Sequence, residues 1–326
     1  MSYNFKNLVF EGGGVKGIAY GGALEILAQK GILANIERVA GTSAGAITAG
    51  LLAVGYTDQE IKGILVKTSF NTFKDSPFGW WIGDALSIKN QYGLYEGKAF
   101  QNWFEGLVAA NTGNKAITFG QLADKAKTSG GRKYRLLYVF GTDLNKGTSV
   151  AFNAEKTPEM SIADAVRISM SIPLFFIAVQ KVNTTYVDGG VYYNYPINIF
   201  DKDEYIVPED LKSVIPIPSD SDGVYNKETL GLRVDKSMVG HAQMVSNLGD
   251  YLSVMLGGVL DNLNKIHLEK QDWHRTVYID TFGVSATDFS LDQQTIQKLI
   301  RSGMDCTAKY FSWFDNPPVD DMPINK

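Results

Sequence analysis

Short apolar runs that end in glycine alternate with segments of helical periodicity in the first part of the chain. Residues 7–11 and 36–40 are short and apolar, which predicts two buried strands. Apolar residues recur with helical spacing over residues 15–30 and 44–54, which predicts a helix after each strand. Two consecutive units of strand, glycine turn and helix favour an α/β fold with a mostly parallel sheet, and any site at the carboxyl ends of its strands.

Further helices and strands are predicted along the rest of the chain. Thr57 and Glu60 have the spacing of a capping box, which predicts a helix that runs to about residue 67. Periodicity and apolar runs predict the remaining elements, which are helices at 97–110, 119–127, 161–170, 244–263 and 291–310 and strands at 134–141, 184–187 and 275–280.

The chain shows no internal repeat and no convincing linker, so we expect one domain over residues 1–326. The motifs of its core fall within residues 5–200. Residues 201–236 are polar and rich in Pro, Ser and Asp, which indicates surface loops. Residues 237–326 are expected to add helices and one strand at the C-terminus.

An aromatic segment at residues 69–95 interrupts the periodic pattern. It includes Phe78, Trp80 and Trp81 among Gly, Pro, Ser and Asn, and no regular spacing is visible. Loops longer than about 12 to 15 residues are usually functional or disordered, and Trp and Tyr suit the boundary between water and lipid. We therefore predict lipid or membrane contact at these three side chains, with a satellite hydrophobic cluster under the loop as the alternative.

Composition and charge exclude several classes of protein. The 326 residues include 31 Lys and Arg against 35 Asp and Glu, so a nucleic-acid partner is not expected. One cysteine and three histidines exclude disulfide frameworks and multi-thiolate metal sites, and we expect no metal and no cofactor. No signal peptide or apolar run of about 18 residues is visible, which predicts a cytoplasmic or peripheral membrane protein. Glycine is in excess, with 33 residues.

The first glycine turn has a composition that suits anion binding. Amide N–H groups in such a turn before a helix can bind a phosphate or an oxyanion. A dinucleotide site would also need an acid at the far end of the second strand, whereas Glu37 lies at its start. A non-catalytic nucleotide-binding protein therefore remains an alternative but is disfavoured. The G-x-G-x-x-G pattern of the turn consists of Gly12, Gly13, Gly14, Val15, Lys16 and Gly17.

The second glycine turn has the G-x-S-x-G pattern of a nucleophile elbow, from Gly41 through Ser43 to Gly45. A sharp turn from strand to helix would expose the Ser43 hydroxyl above the sheet. Loops that follow neighbouring parallel strands lie side by side, so the amides of Gly12, Gly13 and Gly14 are predicted to face Ser43 as an oxyanion hole. A small-residue turn that only permits close packing is the alternative.

A serine nucleophile needs a base. Asp188 ends an apolar strand and precedes Gly189 and Gly190, which would let other backbone approach it closely. A Ser-Asp-His esterase or lipase also fits the order of residues along the chain, because histidines follow Asp188. These candidates are His241, His267 and His274, and none of them lies in a convincing motif.

Three motifs, at residues 12–17, 41–45 and 188–190, resemble the patatin-like phospholipase family in their order and spacing. The resemblance extends through 169–175, 194–196 and 281–304 and so covers nearly the whole chain. It implies a three-layer α/β/α sandwich in which a dyad hydrolyses acyl esters of lipids without a metal. Ser43 would be the nucleophile and Asp188 the base. Lys16 stands where many members have Arg, which keeps the charge.

The resemblance implies an activity of the phospholipase A or lysophospholipase type. It leaves open whether the substrate is a diacyl phospholipid, a lysophospholipid, a neutral glyceride or another acyl ester. It identifies a lipid acyl ester as the expected substrate. It does not indicate whether a protein activator is required.

Overall fold

The computed structural model describes residues 3–75, 92–129, 133–206, 224–235 and 270–316, together with Tyr251 and Met255. Several predictions lie outside these residues and are not tested. They concern Phe78, Trp80, Trp81, His241, His267 and all but two residues of the predicted helix at 244–263.

The strands of the described regions agree with the predicted ones near the start of the chain and add short strands beyond. Each strand predicted from an apolar run is present, with ends that differ from the prediction by up to two residues. They are β1 (Asn7–Phe10), β2 (Arg38–Thr42), β3 (Gly93–Tyr95), β4 (Leu136–Asp143), β5 (Thr148–Phe152), β6 (Leu174–Phe176), β7 (Val179–Lys181), β8 (Thr184–Asp188), β9 (Thr229–Asp235) and β10 (Thr276–Asp280).

The helices follow the predicted periodicity closely. The capping box at Thr57 and Glu60 is formed, with the Thr57 amide donating to Glu60 Oε2 at 2.8 Å. The predicted helix at 15–30 begins instead as a 3₁₀ helix over Gly14–Ala19. The α-helices are α1 (Tyr20–Gln29), α2 (Ala44–Ala53), α3 (Asp58–Lys67), α4 (Lys98–Thr112), α5 (Phe119–Thr128), α6 (Ile162–Ser169) and α7 (Gln293–Asp315).

The main sheet has the strand order β10-β9-β1-β2-β4-β8-β7, with β5 paired to β4. The pairs from β10 to β4 are parallel, whereas β5 and β8 run antiparallel to β4. β3 and β6 form a separate parallel pair. The mostly parallel α/β prediction is therefore confirmed, and the site is expected where β1, β2 and β4 end.

Residues 201–236 are not surface loop throughout, and that prediction is wrong for β9. This strand lies between β1 and β10 inside the sheet. Its polar residue Arg233 is buried because its Nε donates to Glu11 Oε1 at 3.1 Å. A prediction based on apolar runs could not detect this strand, because its buried arginine lies within a polar stretch of sequence.

The core lies on both faces of the sheet. Leu8 and Phe10 of β1 belong to a large cluster that includes residues of α1, α2 and α7. Val9 points to the other face, where it joins Phe200 and Tyr205 from 3₁₀ segments. Helical layers thus flank the sheet, and the alternation of side chains along β1 fixes which residue meets which layer. None of the helices in the described regions is long and apolar enough to cross a membrane.

Candidate active site

β4 brings the ends of two other strands together. On one edge of β4, β5 pairs with residues from Val139 to Asp143. β2 and β8 must therefore share the opposite edge, with Thr42 facing Phe140 and Asp188 facing Gly141. β2 runs parallel to β4 and β8 runs antiparallel to it, so the carboxyl ends of β2 and β8 meet. The residue after Thr42 is Ser43, so the register of β4 alone places this serine beside Asp188.

Ser43 occupies the sharp turn predicted from its motif. Its backbone has φ 52° and ψ −124°, a conformation that residues other than glycine rarely adopt. The residue is buried, it precedes the first turn of α2, and its hydroxyl does not cap that helix. Ser43 Oγ instead lies 3.7 Å from Met170 Sδ, a weak acceptor. The hydroxyl thus lies at the positive end of α2 and makes no hydrogen bond to an oxygen or nitrogen atom within the part of the chain that the structure describes.

The two glycines of the elbow allow the strand and helix to pass closely. A Cβ on Gly41 would lie 2.3 Å from the carbonyl oxygen of Gly45. A Cβ on Gly45 would lie 2.4 Å from the carbonyl oxygen of Phe10 in β1. Both distances are far inside van der Waals contact, so no larger residue fits without moving the backbone. The steric prediction made from the sequence is confirmed.

Asp188 has a buried carboxylate, and only one of its two oxygens accepts a hydrogen bond within the described residues. Its Oδ1 accepts the Gly190 amide at 2.7 Å. Its Oδ2 is buried and makes no hydrogen bond within the described residues. Burial raises the pKa of the carboxyl from its ordinary 3.8 to about 7, against the opposing effects of the Gly190 amide and the nearby Ser43 hydroxyl. A carboxylate with this pKa is a far better proton acceptor near neutral pH than an exposed one.

Gly189 and Gly190 allow the backbone after Asp188 to approach the ends of β2 and β4 closely. A Cβ on Gly189 would lie 2.5 Å from the Phe140 carbonyl oxygen and 2.9 Å from Thr42 Cγ2. A Cβ on Gly190 would lie 2.7 Å from Asn194 Oδ1. The Asp-Gly-Gly sequence therefore packs its backbone directly against the strand end that leads to the serine.

The first glycine turn lies over the serine, but its three amides are not equivalent. A Cβ on Gly12 would stand 3.1 Å from Ser43 Cβ, so the turn and the elbow are in contact. The Gly12 amide donates to the Asn194 carbonyl at 3.1 Å. Gly12 is therefore not available as an oxyanion donor, which corrects one of the three predicted donors. The amides of Gly13 and Gly14 make no hydrogen bond within the described residues and remain candidates.

The remaining residues of this turn are buried and serve its shape. Gly14 has φ 55°, and a Cβ there would lie 1.8 Å from the Ala286 carbonyl oxygen. The Val15 amide donates to the same oxygen at 3.0 Å, and a Cβ on Gly17 would lie 2.8 Å from Ala44 Cβ. Lys16 is buried, which excludes an ordinary exposed lysine at this position. The turn is thus fixed between the elbow and the segment around residue 286.

The segment from Ser169 to Ser171 contacts both Ser43 and Asp188. Ser169 Oγ accepts the Ser43 amide at 2.8 Å and donates to the Phe140 carbonyl at 2.6 Å. The Ser171 carbonyl accepts the Asp188 amide at 2.9 Å. The sequence placed these serines in the family resemblance without a role. Their partners lie 126 and 17 residues away, so no local pattern could have identified the contacts.

Asn194 joins the glycine turn to the Asp-Gly-Gly turn. Its Nδ2 donates to the Gly12 carbonyl at 2.9 Å, and its own carbonyl accepts the Gly12 amide. Gly12 is therefore held on both sides of its peptide unit. This residue also belongs to the resemblance, and its role was missed for the same reason.

Two residues of the alternative functions lie away from this site. His274 precedes β10, at the edge where the parallel strands begin, and its carbonyl accepts the Tyr310 hydroxyl. Glu37 precedes β2 at the same edge and pairs with Lys6 at 3.1 Å. Ser43 follows the carboxyl end of β2, so the length of the sheet separates it from both residues. Neither is placed to act as a base or to hold a ribose beside the glycine turn.

Known proteins are similar to this chain in sequence. The family profile described as patatin-like phospholipase matches residues 8–201. The chain is 32% identical over 313 residues to the uncharacterized protein YqhO of Bacillus subtilis (strain 168), which covers 90% of this chain and 94% of that protein. It is 30% identical over 195 residues to the probable lipid hydrolase 463L of Invertebrate iridescent virus 6, covering 60% and 63% of the two chains.

A solved structure has the same fold. The crystal structure of VipD from Legionella pneumophila is similar over 95% of this chain and 67% of its own, with a TM-score of 0.61 and 19% identity. This similarity supports the arrangement of strands and helices. The profile match, which spans more than half of the chain, means that the chain belongs to the patatin-like phospholipase family.

Proposed function

We propose that this chain hydrolyses carboxylic esters of lipids, as a phospholipase A or lysophospholipase, through a dyad of Ser43 and Asp188. One observation supports the proposal above the others. The buried Oδ2 of Asp188, which has no hydrogen-bond partner in the described regions, lies beside a strained serine whose hydroxyl has no strong acceptor. An unpartnered buried carboxylate oxygen is unfavourable for stability, so its retention next to a nucleophile favours a role in proton transfer.

The first step transfers the Ser43 proton. Asp188 accepts this proton as Ser43 Oγ forms a bond to the ester carbonyl carbon, and the carbonyl π electrons move to its oxygen. Collapse of the tetrahedral intermediate breaks the bond to the alcohol, which takes the proton from Asp188. Water then attacks the acyl-serine with Asp188 again as base. As the bond between the acyl carbon and Ser43 Oγ breaks, Ser43 Oγ takes that proton back from Asp188, and the fatty acid leaves.

The charge on the carbonyl oxygen needs donors that are fixed before the reaction. The amides of Gly13 and Gly14 are the candidates, because the Ser43 amide is already bound to Ser169 Oγ and the Gly12 amide to Asn194. One fixed donor can contribute roughly 3 kcal/mol to the stability of the transition state. Two amides suit a single oxyanion better than the several oxygens of a pyrophosphate, which favours a hydrolase over a nucleotide-binding protein.

The test compares the purified protein with its Ser43→Ala and Asp188→Asn variants on phosphatidylcholine, lysophosphatidylcholine and a triglyceride. Release of fatty acid is followed by mass spectrometry, which also identifies the ester position. We expect release from the first two substrates by the unaltered protein and none by either variant. A fluorophosphonate probe should label Ser43 in the unaltered protein and should fail to label Ser43→Ala.

A matched control addresses the histidine alternative. The triple variant His241→Ala, His267→Ala and His274→Ala should retain its activity, because the proposed base is an aspartate. Loss of hydrolysis in one of the single variants would replace the dyad with a triad. Full activity of Asp188→Asn would refute the role of Asp188. Nucleotide binding without probe labelling would refute the hydrolase itself.

A further inference from the structure

The hairpin between β7 and β8 exposes a valine at its tip. Its two-residue turn consists of Val182 and Asn183, which have φ values of 43° and 61°. Turns with two positive φ values favour Asn, Asp and Gly, and a β-branched residue is rarely found in this conformation. Val182 is 96% exposed, so packing within the described chain does not offset the unfavourable backbone. An exposed apolar side chain in an unfavourable backbone conformation suggests that Val182 contacts a partner outside the folded chain.

Two more apolar side chains are exposed on loops that adjoin this hairpin. Leu144 is 47% exposed and Tyr192 is 50% exposed. The Leu144 amide donates to the Thr185 carbonyl at 3.0 Å, which ties the turn after β4 to the hairpin. The Tyr192 hydroxyl lies 3.6 Å from where a Cβ on Gly147 would stand, at the end of that same turn. Val182, Leu144 and Tyr192 therefore belong to adjoining loops, and we call them the tip surface.

The tip surface lies beyond the active site, on the side where the parallel strands end. Asp188 faces Gly141 in the sheet, and Tyr186 faces Asp143, so β8 extends past the carboxyl end of β4 as it is followed back towards the hairpin. Asp188 lies five residues after Asn183 along extended chain, which corresponds to about 17 Å at about 3.3 Å per residue. Within the described residues the hairpin therefore projects beyond Ser43 and Asp188 at this end of the sheet.

The charges next to the tip surface are paired. Lys181 Nζ lies 2.6 Å from Asp164 Oδ2, and Lys146 Nζ lies 3.8 Å from Asp143 Oδ2. The surface therefore offers apolar groups with little net charge, which does not suit an anionic polymer. A narrow projecting tip can insert into a fluid layer, whereas a protein partner would require a broader complementary face of about 800 Å².

We propose that the tip surface inserts into the lipid layer from which the substrate is taken, with Val182 as its leading residue. This inference rests on the proposed function for the direction from which substrate arrives. Insertion is driven by apolar burial, so binding should occur on zwitterionic lipid and should change little with salt.

The experiment measures binding to dioleoylphosphatidylcholine vesicles by flotation. All proteins carry Ser43→Ala, which prevents hydrolysis of the lipid. Val182→Asn is the informative variant, because asparagine suits this turn and should keep or raise the thermal stability of the protein. We expect it to lower vesicle binding roughly tenfold, as the loss of one buried valine side chain implies. Val182→Asp should lower binding at least as much.

Phe314→Ser is the matched control. Phe314 is 40% exposed, and its ring packs near Tyr3 and Phe5, before the start of β1 and so at the opposite end of the sheet. This variant should bind vesicles as its parent does. In proteins that retain Ser43, Val182→Asn should hydrolyse a soluble short-chain ester at the unaltered rate and vesicle lipid more slowly.

The results separate the tip surface from the proposed activity. Vesicle binding that is absent in the parent, unchanged in Val182→Asn or equally reduced in Phe314→Ser overturns the proposal for the tip. Sedimentation that shows a dimer lost in Val182→Asn, with vesicle binding intact, would assign the surface to a second copy and also overturns it. A protein that binds vesicles through Val182 but cleaves no ester refutes the proposed function and leaves lipid insertion standing.

Discussion

The backbone amide of Ser43 donates to Ser169 Oγ at 2.8 Å, and the same hydroxyl donates to the Phe140 carbonyl at 2.6 Å. All three residues are buried. The contact fixes the peptide unit before Ser43 in a conformation that φ 52° makes unfavourable on its own. Ser169 thus connects the elbow to β4, the strand that also determines where Asp188 lies.

Replacing Ser169 with Ala should lower kcat and leave KM nearly unchanged. The variant leaves the Ser43 amide unsatisfied, so the serine can leave its position relative to Asp188, and small displacements of a reacting group can cost up to about a hundredfold in rate. The variant should also lose about 1 to 3 kcal/mol of unfolding free energy. Steady-state kinetics on a soluble ester and urea denaturation measure the two effects.

Ser302→Ala is the matched control for that variant. Ser302 Oγ also donates to a carbonyl, that of Asp280, at 2.6 Å, but it lies on α7 and touches neither Ser43 nor Asp188. It should show a similar loss of stability with kcat unchanged. Equal effects of the two variants on kcat would mean that Ser169 acts only on stability.

Asp188→Asn should abolish hydrolysis and make the protein more stable above neutral pH. The folded pKa of Asp188, about 7, lies above the value of about 3.9 in an unfolded chain. Its contribution to stability is therefore fully present below pH 4 and is lost as the pH rises through 7, by up to about 4 kcal/mol. Asparagine keeps an oxygen for the Gly190 amide and carries no charge to bury.

Denaturation of both proteins at pH 5 and pH 8 measures this effect, and the rate of ester hydrolysis is followed over the same range. The rate of the unaltered protein should rise with pH through about 7, because only the ionised carboxylate is a base. Activity and this part of the stability thus change in opposite directions. A difference in stability between the two proteins that does not vary with pH would contradict the raised pKa.

The sequence was sufficient to predict the two glycine turns, the elbow and the aspartate, because each depends on local steric requirements. Gly41 and Gly45 are required by contacts between adjacent elements. The strand before Ser43 and the helix after it follow from apolar runs and helical spacing.

What the sequence could not predict depends on contacts between distant segments. The Gly12 amide donates to the carbonyl of Asn194, 182 residues away, and this contact removes a donor that the local motif predicted. β9 was missed because its buried Arg233 is paired with the distant Glu11, and because a Cβ on Gly231 would meet the Tyr195 hydroxyl. Neither requirement is visible in a window of neighbouring residues.

Gly45→Ala and Gly106→Ala should have opposite effects on stability. Both glycines lie in helices, α2 and α4. A Cβ on Gly45 would lie 2.4 Å from the Phe10 carbonyl oxygen, so α2 must move away from β1, at a cost of about 1 to 3 kcal/mol or more. A Cβ on Gly106 meets nothing within 4 Å, so alanine should stabilise the helix by up to about 1 kcal/mol. Thermal denaturation of both variants checks the contrast, and a neutral Gly45→Ala would contradict the close packing at the elbow.

Asn194→Asp should move the pH dependence of hydrolysis upward. Asn194 Oδ1 and Asp188 Oδ1 lie 2.7 Å and 3.1 Å from where a Cβ on Gly190 would stand, so the two side chains are close neighbours. A carboxylate at residue 194 would oppose ionisation of Asp188, because like charges disfavour the charged form.

Asn194→Ala separates this charge effect from the loss of a contact. Both variants lose the bond from Nδ2 to the Gly12 carbonyl, so both should lower kcat through a less rigid glycine turn. Only Asn194→Asp should raise the pH at which hydrolysis is half-maximal above that of the unaltered protein. The pH profile of kcat/KM on a soluble ester reports the pKa of the free enzyme and is the measurement to use. Identical profiles for the two variants would mean that Asp188 is not the group whose ionisation controls the rate.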